Sequence, residues 1–371
     1  MNSVALTDAQ IDSCRPALDQ AWAAGRAGPR AIAIVAYADL ITQPWQLGWS
    51  ALLHRMPFIL IGYGTPSKAG VWRGAASYNA PKVAAWFGLR RVVQLVRAAE
   101  RLGLGKAAPR YLFMADGFDT LVVNPPDHFW RTAAAQRHAH HGAESPHGWG
   151  LLSGECNCWP RCLKDAYFNA SLIGTRPFGQ CVQRSPNCFL NAGLAMGTVQ
   201  GWDTLLSILI PRLSPQKDEQ LLLHEMWLEG ALPGWEIDSQ SEVLLSTLDC
   251  VGPNRLGALP KWSRCTTRAF SPLDHISPAR DGGTAFVAES GAVQRPLVAH
   301  LQGSPTRTKA ERFARFNHTL GSRAATWATA IKQPLLLIDS LADGPCKATT
   351  FGALASGEHD PGRARPHPLR R

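Results

Sequence analysis

The chain has 371 residues, of which 45% are hydrophobic, so it is long enough for one large domain or two smaller ones with a proper core. Its formal net charge of +10 comes from basic residues scattered along the chain and from an Arg-rich C-terminal tail. A scattered excess is typical of a solvated basic surface or of a protein that binds phosphorylated ligands. It argues against a nucleic-acid-binding protein, which would concentrate Lys and Arg on one face.

Targeting signals are not visible in the sequence. There is no run of about 18 apolar residues, and the first residues lack the charged start and apolar stretch of a signal peptide. We therefore expect no membrane anchor and, by default, a cytoplasmic location.

The cysteines number nine, so at least one thiol stays unpaired unless the protein dimerises through it. Cys156, Cys158 and Cys162 form a C-x-C-x3-C string. Because the string lacks the paired C-x2-C spacing of a structural zinc site, buried thiols or local disulfides fit it better than zinc.

Three segments are expected along the chain. Residues 1–29 resemble a helical lead-in, and residues 30–325 alternate apolar runs with helical patterns, which makes them the candidate enzyme domain. Residues 326–371 are expected to be a largely disordered, Pro- and Arg-rich C-terminal segment.

Short continuous apolar runs predict strands that are buried on both faces at 31–36, 58–61 and 111–115. Between the last two, apolar residues recur at helical spacing from Pro81 to Leu102, with Pro81 as the first helical residue and Gly103 as a stop. Strand, helix and strand joined by a right-handed crossover predict an α/β fold with a mostly parallel or mixed sheet flanked by helices.

Two carboxylates, Asp116 and Asp119, directly follow the third predicted strand, where ligands of open α/β sheets bind. Converging carboxylates repel each other unless a cation or donors compensate, and a hard divalent ion that bridges them to a diphosphate would do so. His300 ends another apolar run and could complete a mixed oxygen and nitrogen set, which suits Mn2+ better than Ca2+. A tight Asp-Gly turn and a surface histidine are the alternative interpretations.

Six segments, in order and at approximate spacing, resemble the glycosyltransferase domain of the procollagen lysyl hydroxylase/glycosyltransferase family. In one-letter code they are ADGFDTLVV at 115–123, GECNCWP at 154–160, FLNAG at 189–193 with MG at 196–197, DEQ at 218–220, ID at 237–238 with LD at 248–249, and HLQG at 300–303 with PT at 305–306. The resemblance implies a GT-A-like (Rossmann-like) fold, a UDP-sugar donor, and Mn2+ held by Asp116, Asp119 and His300. It also implies transfer of a hexose, glucose or galactose, to a hydroxyl acceptor.

The resemblance further implies which residues bind the nucleotide. Phe118 stands where the family usually has Tyr and would stack on the base, with Trp72 on the other face of the uracil. The ribose and phosphates would be contacted by Lys82, Gly303 and Arg307, the last in place of a family Lys. An ordinary loop or core role for Trp72 and a solvated helix start for Lys82 are the alternatives.

Four further residues are implied to act at the donor sugar and in transfer: Trp159, Asn191, Asp218 and Gln220. A turn at Asn191 and a helix start at Asp218 are the structural alternatives. The sequence departs from the family pattern at Glu219 and Gln302, which leaves the acceptor open.

The resulting hypothesis is a metal-dependent hexosyltransferase whose acceptor is a hydroxyl on hydroxylysine-linked sugar or on another glycan. The alternative is a non-catalytic GT-A-like protein that binds a nucleotide or sugar. No general base stands out in the sequence, so neither a retaining nor an inverting outcome is predicted.

Overall fold

The computed structural model of the protein describes residues 5–23, 32–37, 45–61, 75–117, 119–138, 146–158, 160, 163–172, 185–250, 270–301, 309–316, 334–338 and 346–350.

The strands of the described residues carry the labels β1 to β14 in chain order. They are β1 (Ile32–Tyr37), β2 (Phe58–Ile61), β3 (Tyr111–Asp116), β4 (Thr120–Val122), β5 (Gly150–Glu155), β6 (Phe189–Thr198), β7 (Trp235–Asp238), β8 (Leu244–Ser246), β9 (Ile276–Pro278), β10 (Thr284–Val287), β11 (Val293–Gln294), β12 (Val298–His300), β13 (Pro334–Ile338) and β14 (Cys346–Thr350).

An eight-stranded mixed sheet forms the centre of the fold, in the order β14-β13-β2-β1-β3-β6-β5-β7. Strands β13, β2, β1 and β3 run parallel, and β14 pairs antiparallel at one edge. Strand β6 is antiparallel to both β3 and β5, while β7 runs parallel to β5. The carboxyl ends of β1 and β3 therefore lie side by side, with Tyr37 opposite Asp116.

The helices are α1 (Asp8–Ser13), α2 (Arg15–Ala23), α3 (Trp45–Leu53), α4 (Ala75–Arg97), α5 (Ala133–Arg137), α6 (Lys164–Leu172), α7 (Val199–Leu209), α8 (Glu219–Leu228) and α9 (Lys309–Ala314), with 3-10 turns at Pro126–Arg131, Ile210–Arg212 and Pro272–His275. Apolar residues of α2, α4, α7 and α8 pack on one face of the main sheet, and those of α3 pack on the other. None of the helices in the described ranges is both long and apolar enough to cross a membrane.

Alternate residues of β1 explain why its sequence is a continuous apolar run. Ala33 and Val35 belong to the core on one face of the sheet, whereas Ile32 and Ile34 belong to the core on the other. Since both faces are covered, every position of the strand must be apolar.

Two smaller three-stranded sheets complete the fold. One has the order β4-β12-β8, in which β12 is antiparallel to β4 and parallel to β8. The other is the antiparallel sheet β11-β10-β9. Both cover a third apolar cluster that includes Leu121, Phe286 and Ala299.

The predicted mixed α/β sheet flanked by helices is confirmed, and the three predicted strands are observed within one residue of their expected bounds. The start predicted for the helix is wrong: α4 begins at Ala75, so Pro81 is its seventh residue rather than its first, and the helix ends at Arg97. A proline beyond the first turn removes one backbone hydrogen bond and crowds the carbonyl four residues before it, which can kink a helix without ending it.

Strands β13 and β14 lie within residues 326–371, which are expected from the sequence to be largely disordered, and they extend the main sheet beyond β2. A disulfide joins Cys14, between α1 and α2, to Cys346 of β14. The Cys156 thiol does not form a local bond within its C-x-C-x3-C string but a disulfide with Cys250, 94 residues away.

Candidate metal centre

Three side chains converge beyond the carboxyl end of β3. Asp116 is the last residue of β3, Asp119 immediately precedes β4, and His300 is the last residue of β12. The Nε2 atom of His300 lies 3.3 Å from Oδ1 of Asp119 and 3.7 Å from Oδ2 of Asp116. One ligand atom from each residue falls within 4.8 Å of the others, which is the spacing of a cation site.

The strand pairing of the two sheets produces this convergence. Strand β12 pairs antiparallel with β4, with His300 opposite Thr120, and the Leu301 amide donates to the Asp119 carbonyl at 2.5 Å. On the other side, the Gly117 amide donates to the Tyr37 carbonyl at 2.8 Å, which continues the pairing of β3 with β1. The short connection from Asp116 to Asp119 therefore joins the large sheet to the small one and carries a carboxylate at each end.

The absence of a side chain at Gly193 makes room for the site. A Cβ on this residue of β6 would lie 2.3 Å from Cε1 of His300 and 3.0 Å from Oδ2 of Asp116. The register between β5 and β6 shifts at this point, because Leu152 pairs with Ala195 but Ser153 pairs with Asn191. Irregularities of this kind re-aim side chains next to functional sites.

The charges of the site are poorly balanced by protein groups alone. Burial and then the charge of Asp119 raise the pKa of Asp116, against the opposing effects of Lys82 and His300. Burial of His300 disfavours its charged form, but Asp119 and Asp116 outweigh this effect and raise the pKa of the imidazole. The site therefore favours added positive charge. Its two carboxylates and one imidazole are a mixed set of oxygen and nitrogen ligands that suits a divalent cation.

Behind His300 lies a buried chain of hydrogen bonds. Nδ1 of His300 lies 3.2 Å from Oδ1 of Asn191, and Nδ2 of Asn191 donates to Oε2 of Glu155 at 3.0 Å. The other oxygen of Glu155 accepts from Nε2 of Gln220 at 2.7 Å. Glu155 was not among the predicted site residues, although it lies in the GECNCWP segment and is a carboxylate at the end of a fully buried strand. That burial was the signal that could have identified it.

The residues predicted to act in transfer fall into two groups. Asn191 and Gln220 are buried, and their amide groups belong to the hydrogen-bond chain behind His300. Asp218 caps α8 and accepts hydrogen bonds from the amides of Gln220 and Leu221, as the helix-start alternative expects. Trp159 lies outside the described residues.

Of the residues predicted to bind the nucleotide, Lys82 is the one described. Its Nζ lies 2.5 Å from Oε1 of Glu219, a carboxylate that is 4% exposed, while the lysine keeps 25% of its side chain exposed. Its charge also lowers the pKa of Asp116. The remaining predicted contacts lie outside the described residues: Trp72, Phe118, Gly303 and Arg307.

The weak structural likenesses of the chain to solved structures include two glycosyltransferases. The chain is similar to a glycosyltransferase involved in the glycosylation of the major capsid of PBCV-1, with 13% identity and a TM-score of 0.33, over 77% of this chain and 98% of that one. It is also similar to the WbbM bifunctional glycosyltransferase, with 10% identity and a TM-score of 0.35, over 82% of this chain and 52% of that one. No family profile matches the chain, and no curated protein matches it. Both solved structures are glycosyltransferases, but TM-scores this low carry no argument about the activity of this chain.

Proposed function

We propose that the protein is a metal-dependent glycosyltransferase with a GT-A-like fold, which transfers a hexose from a UDP-sugar to a hydroxyl acceptor. The observation that carries the proposal is the convergence of Asp116, Asp119 and His300 in space left by Gly193. This place lies beyond the carboxyl ends of adjacent parallel strands, where open α/β sheets bind their ligands. The sequence resemblance supplies the nucleotide sugar as the ligand.

In this proposal Asp116, Asp119 and His300 hold Mn2+. The ion would supply Lewis acidity to the diphosphate and a template that orients it. The protein's own contribution is to fix the three ligands. Asn191 holds the imidazole of His300, and the backbone hydrogen bond from Leu301 holds Asp119. The proposal also includes the other predicted contacts with the donor. The base would stack on Trp72 and Phe118, the sugar would contact Trp159, and the phosphates would contact Gly303 and Arg307.

The test is UDP release from UDP-glucose and UDP-galactose, measured with a panel of collagen peptides, free sugars and glycans as acceptors. We expect turnover with Mn2+, loss of turnover with a chelator, and recovery when Mn2+ is returned. Asp119→Asn should lower turnover by about 100-fold or more, because it removes a charged ligand. The control is Asp165→Asn, which neutralises an exposed carboxylate on α6 and should leave turnover unchanged.

Two results would contradict the proposal. Turnover that is indifferent to the chelator would remove the metal from the reaction. Calorimetric binding of UDP with Mn2+, but no turnover on any acceptor, would instead favour a non-catalytic protein that binds nucleotides or sugars.

A further inference from the structure

We infer that Glu155 is a positioning residue, which sets the proton of His300 on Nδ1 by fixing the orientation of the Asn191 amide. The inference rests on the proposed function, because it concerns how the Nε2 lone pair of His300 is made available to a cation. Glu155 is 2% exposed and does not belong to the three-residue ligand set.

Two contacts fix the orientation of the Asn191 amide. Its Oδ1 accepts a hydrogen bond from the Gly193 amide at 2.9 Å, and its Nδ2 donates to Oε2 of Glu155 at 3.0 Å. These two contacts identify which end of the amide is oxygen. Because that oxygen faces Nδ1 of His300 at 3.2 Å, Nδ1 must be the protonated, donating nitrogen.

The nitrogen on the other side of the ring is Nε2. With a proton on Nδ1, the neutral imidazole carries its lone pair on Nε2. Nε2 is the atom that faces Asp119 at 3.3 Å and Asp116 at 3.7 Å. A histidine whose second nitrogen donates to a fixed acceptor is the usual arrangement behind a metal ligand.

The side chain at position 155 must be a carboxylate. Nε2 of Gln220 donates to Oε1 of Glu155 at 2.7 Å, and Oε1 of Gln220 accepts from the Ala192 amide at 3.1 Å. Glu155 therefore accepts hydrogen bonds from two side-chain amides whose orientations are each tied to a backbone N–H group. An acceptor on both oxygens is required, and only a carboxylate supplies it.

Glu155→Gln breaks this pattern, because one end of the new amide is a donor that must face another donor. Relief requires Asn191 or Gln220 to turn over, and each turn places an NH2 group against a backbone N–H group. If Asn191 turns, its Nδ2 faces Nδ1 of His300, and the ring proton moves to Nε2. The lone pair then no longer faces the two carboxylates.

A swap of the two side chains restores the pattern. In the double variant Glu155→Gln, Asn191→Asp, the glutamine donates to the new aspartate and accepts from Gln220. The aspartate accepts from the Gly193 amide and from Nδ1 of His300. Every donor then meets an acceptor, and the charge moves one link closer to the imidazole.

The experiment measures Mn2+ affinity from the EPR signal of free Mn2+, using metal-free full-length protein, together with the His300 tautomer from 15N NMR of the imidazole. We expect Glu155→Gln to weaken Mn2+ binding by about 10- to 100-fold, the usual effect of removing an outer-shell partner. In metal-free protein, at a pH at which the imidazole is neutral, the variant should shift the His300 proton from Nδ1 toward Nε2. The double variant should bind Mn2+ within about threefold of wild type, because its hydrogen bonds are complete, and should keep the Nδ1 proton.

The matched control is Glu242→Gln, since Glu242 is another buried glutamate, accepts a hydrogen bond from the Ala134 amide at 2.7 Å and is not a ligand of the candidate site. It should leave Mn2+ affinity and the tautomer unchanged. If wild type binds no Mn2+, the proposed function and this inference both fail. If wild type binds and Glu155→Gln binds equally well, the inference alone is overturned. The inference is also overturned if the double variant folds but its Mn2+ affinity is as low as that of a protein that lacks the three ligands. If Glu155→Gln does not fold, the Mn2+ affinity of the double variant is the deciding measurement.

Discussion

Gly193 and His300 lie against each other: a Cβ on Gly193 would come within 2.3 Å of Cε1 of the His300 imidazole. The ring cannot easily move aside, because Asn191 holds its Nδ1 and the His300 carbonyl accepts from the Thr247 amide at 3.0 Å. A glycine at this position is therefore part of the site.

Gly193→Ala should accordingly weaken Mn2+ binding by about tenfold or more, because it displaces a ligand while leaving the strand pairing intact. The measurement is Mn2+ titration, with circular dichroism to confirm the fold. Gly197→Ala is the matched control: its Cβ would lie 3.1 Å from the Trp149 carbonyl oxygen, in the same strand but away from the ligands. It should lower thermal stability without changing the affinity. Equal loss of affinity in both variants would contradict the prediction.

Asp116→Asn should stabilise the metal-free protein at neutral pH. The pKa of Asp116 is raised in the folded state, so the folded protein holds this proton more tightly than the unfolded chain. Its stability therefore falls as the pH rises from about 4 through the raised pKa. Removing the charge should raise the melting temperature in a chelator at pH 7 by on the order of 2 °C, and by less at pH 4.

Added Mn2+ should reverse the order, because the ion stabilises wild type but not the variant. Scanning fluorimetry with and without Mn2+ checks both parts. A variant that melts below wild type in chelator at pH 7 would show that the two carboxylates do not repel as described.

Lys82→Met should destabilise the protein by about 1 to 3 kcal/mol at pH 7, because it removes the cation paired with buried Glu219 while part of the pair stays open to solvent. The pKa of Glu219 is already raised, chiefly by burial, so its unfavourable contribution grows as the pH rises above the ordinary range of a carboxyl. Urea denaturation at pH 5 and pH 8 should show the larger loss at pH 8. The double variant Lys82→Met, Glu219→Gln should recover stability, because no unpaired charge is left buried. Since this variant is stable but lacks the lysine, a loss of UDP affinity in it would report a direct contact of Lys82 with the nucleotide.

Asp281 should stabilise the fold above about pH 4 and cease to do so near pH 2. Its hydrogen bond with Arg295 is the main reason that its pKa falls to about 2. A lowered folded pKa gives stability that is present above the ordinary pKa and is lost as the pH falls through the folded value. Asp281→Asn should therefore be less stable than wild type at pH 6, and the difference should close by pH 2. Asp19→Asn, at an exposed position of α2, should track wild type throughout.

Mapping by mass spectrometry without reductant should recover the peptide pairs of Cys14 with Cys346 and of Cys156 with Cys250. Removing either bond by paired Cys→Ser changes should cost about 2 to 5 kcal/mol. Such bonds persist in oxidising compartments, so we predict more folded protein from an oxidising expression host than from a reducing cytosol, contrary to the cytoplasmic default. Alkylation of Cys14 or Cys346 in the native, unreduced protein would contradict the pairing.

The sequence predicted the central strands well because their signal is local. In β1, β2 and β3, burial on two faces forces every residue to be apolar, and such runs are visible without knowledge of the partner strands. The carboxylates after β3 were visible for a related reason, since charge at the end of a buried strand is unusual. Both features can be identified within a few residues of chain.

What escaped prediction depends on distant pairings. Strand β13 is the apolar run PLLLI, but the overall composition of residues 326–371 predicts disorder, and the pairing of β13 with β2 crosses more than 270 residues. Glu155 and Gln220 are 65 residues apart, and Asn191 and His300 are 109 apart. Hydrogen bonds over such separations leave no periodicity in the sequence, so the contacts that link His300, Asn191, Glu155 and Gln220 are seen only in the folded protein.

The bond between Cys14 and Cys346 closes a ring across 332 residues, and it does so at the last strand of the main sheet. During synthesis, β2 has no neighbour on that side until residues 334–338 have left the ribosome, and an open strand edge of this kind invites pairing with other chains. Because Cys346 follows β13 in the chain, the ring can close only after the strand that covers this edge has been synthesised. In the folded protein the bond ties β14, which pairs with β13, to the segment between α1 and α2, and so helps to hold β13 over the edge of β2.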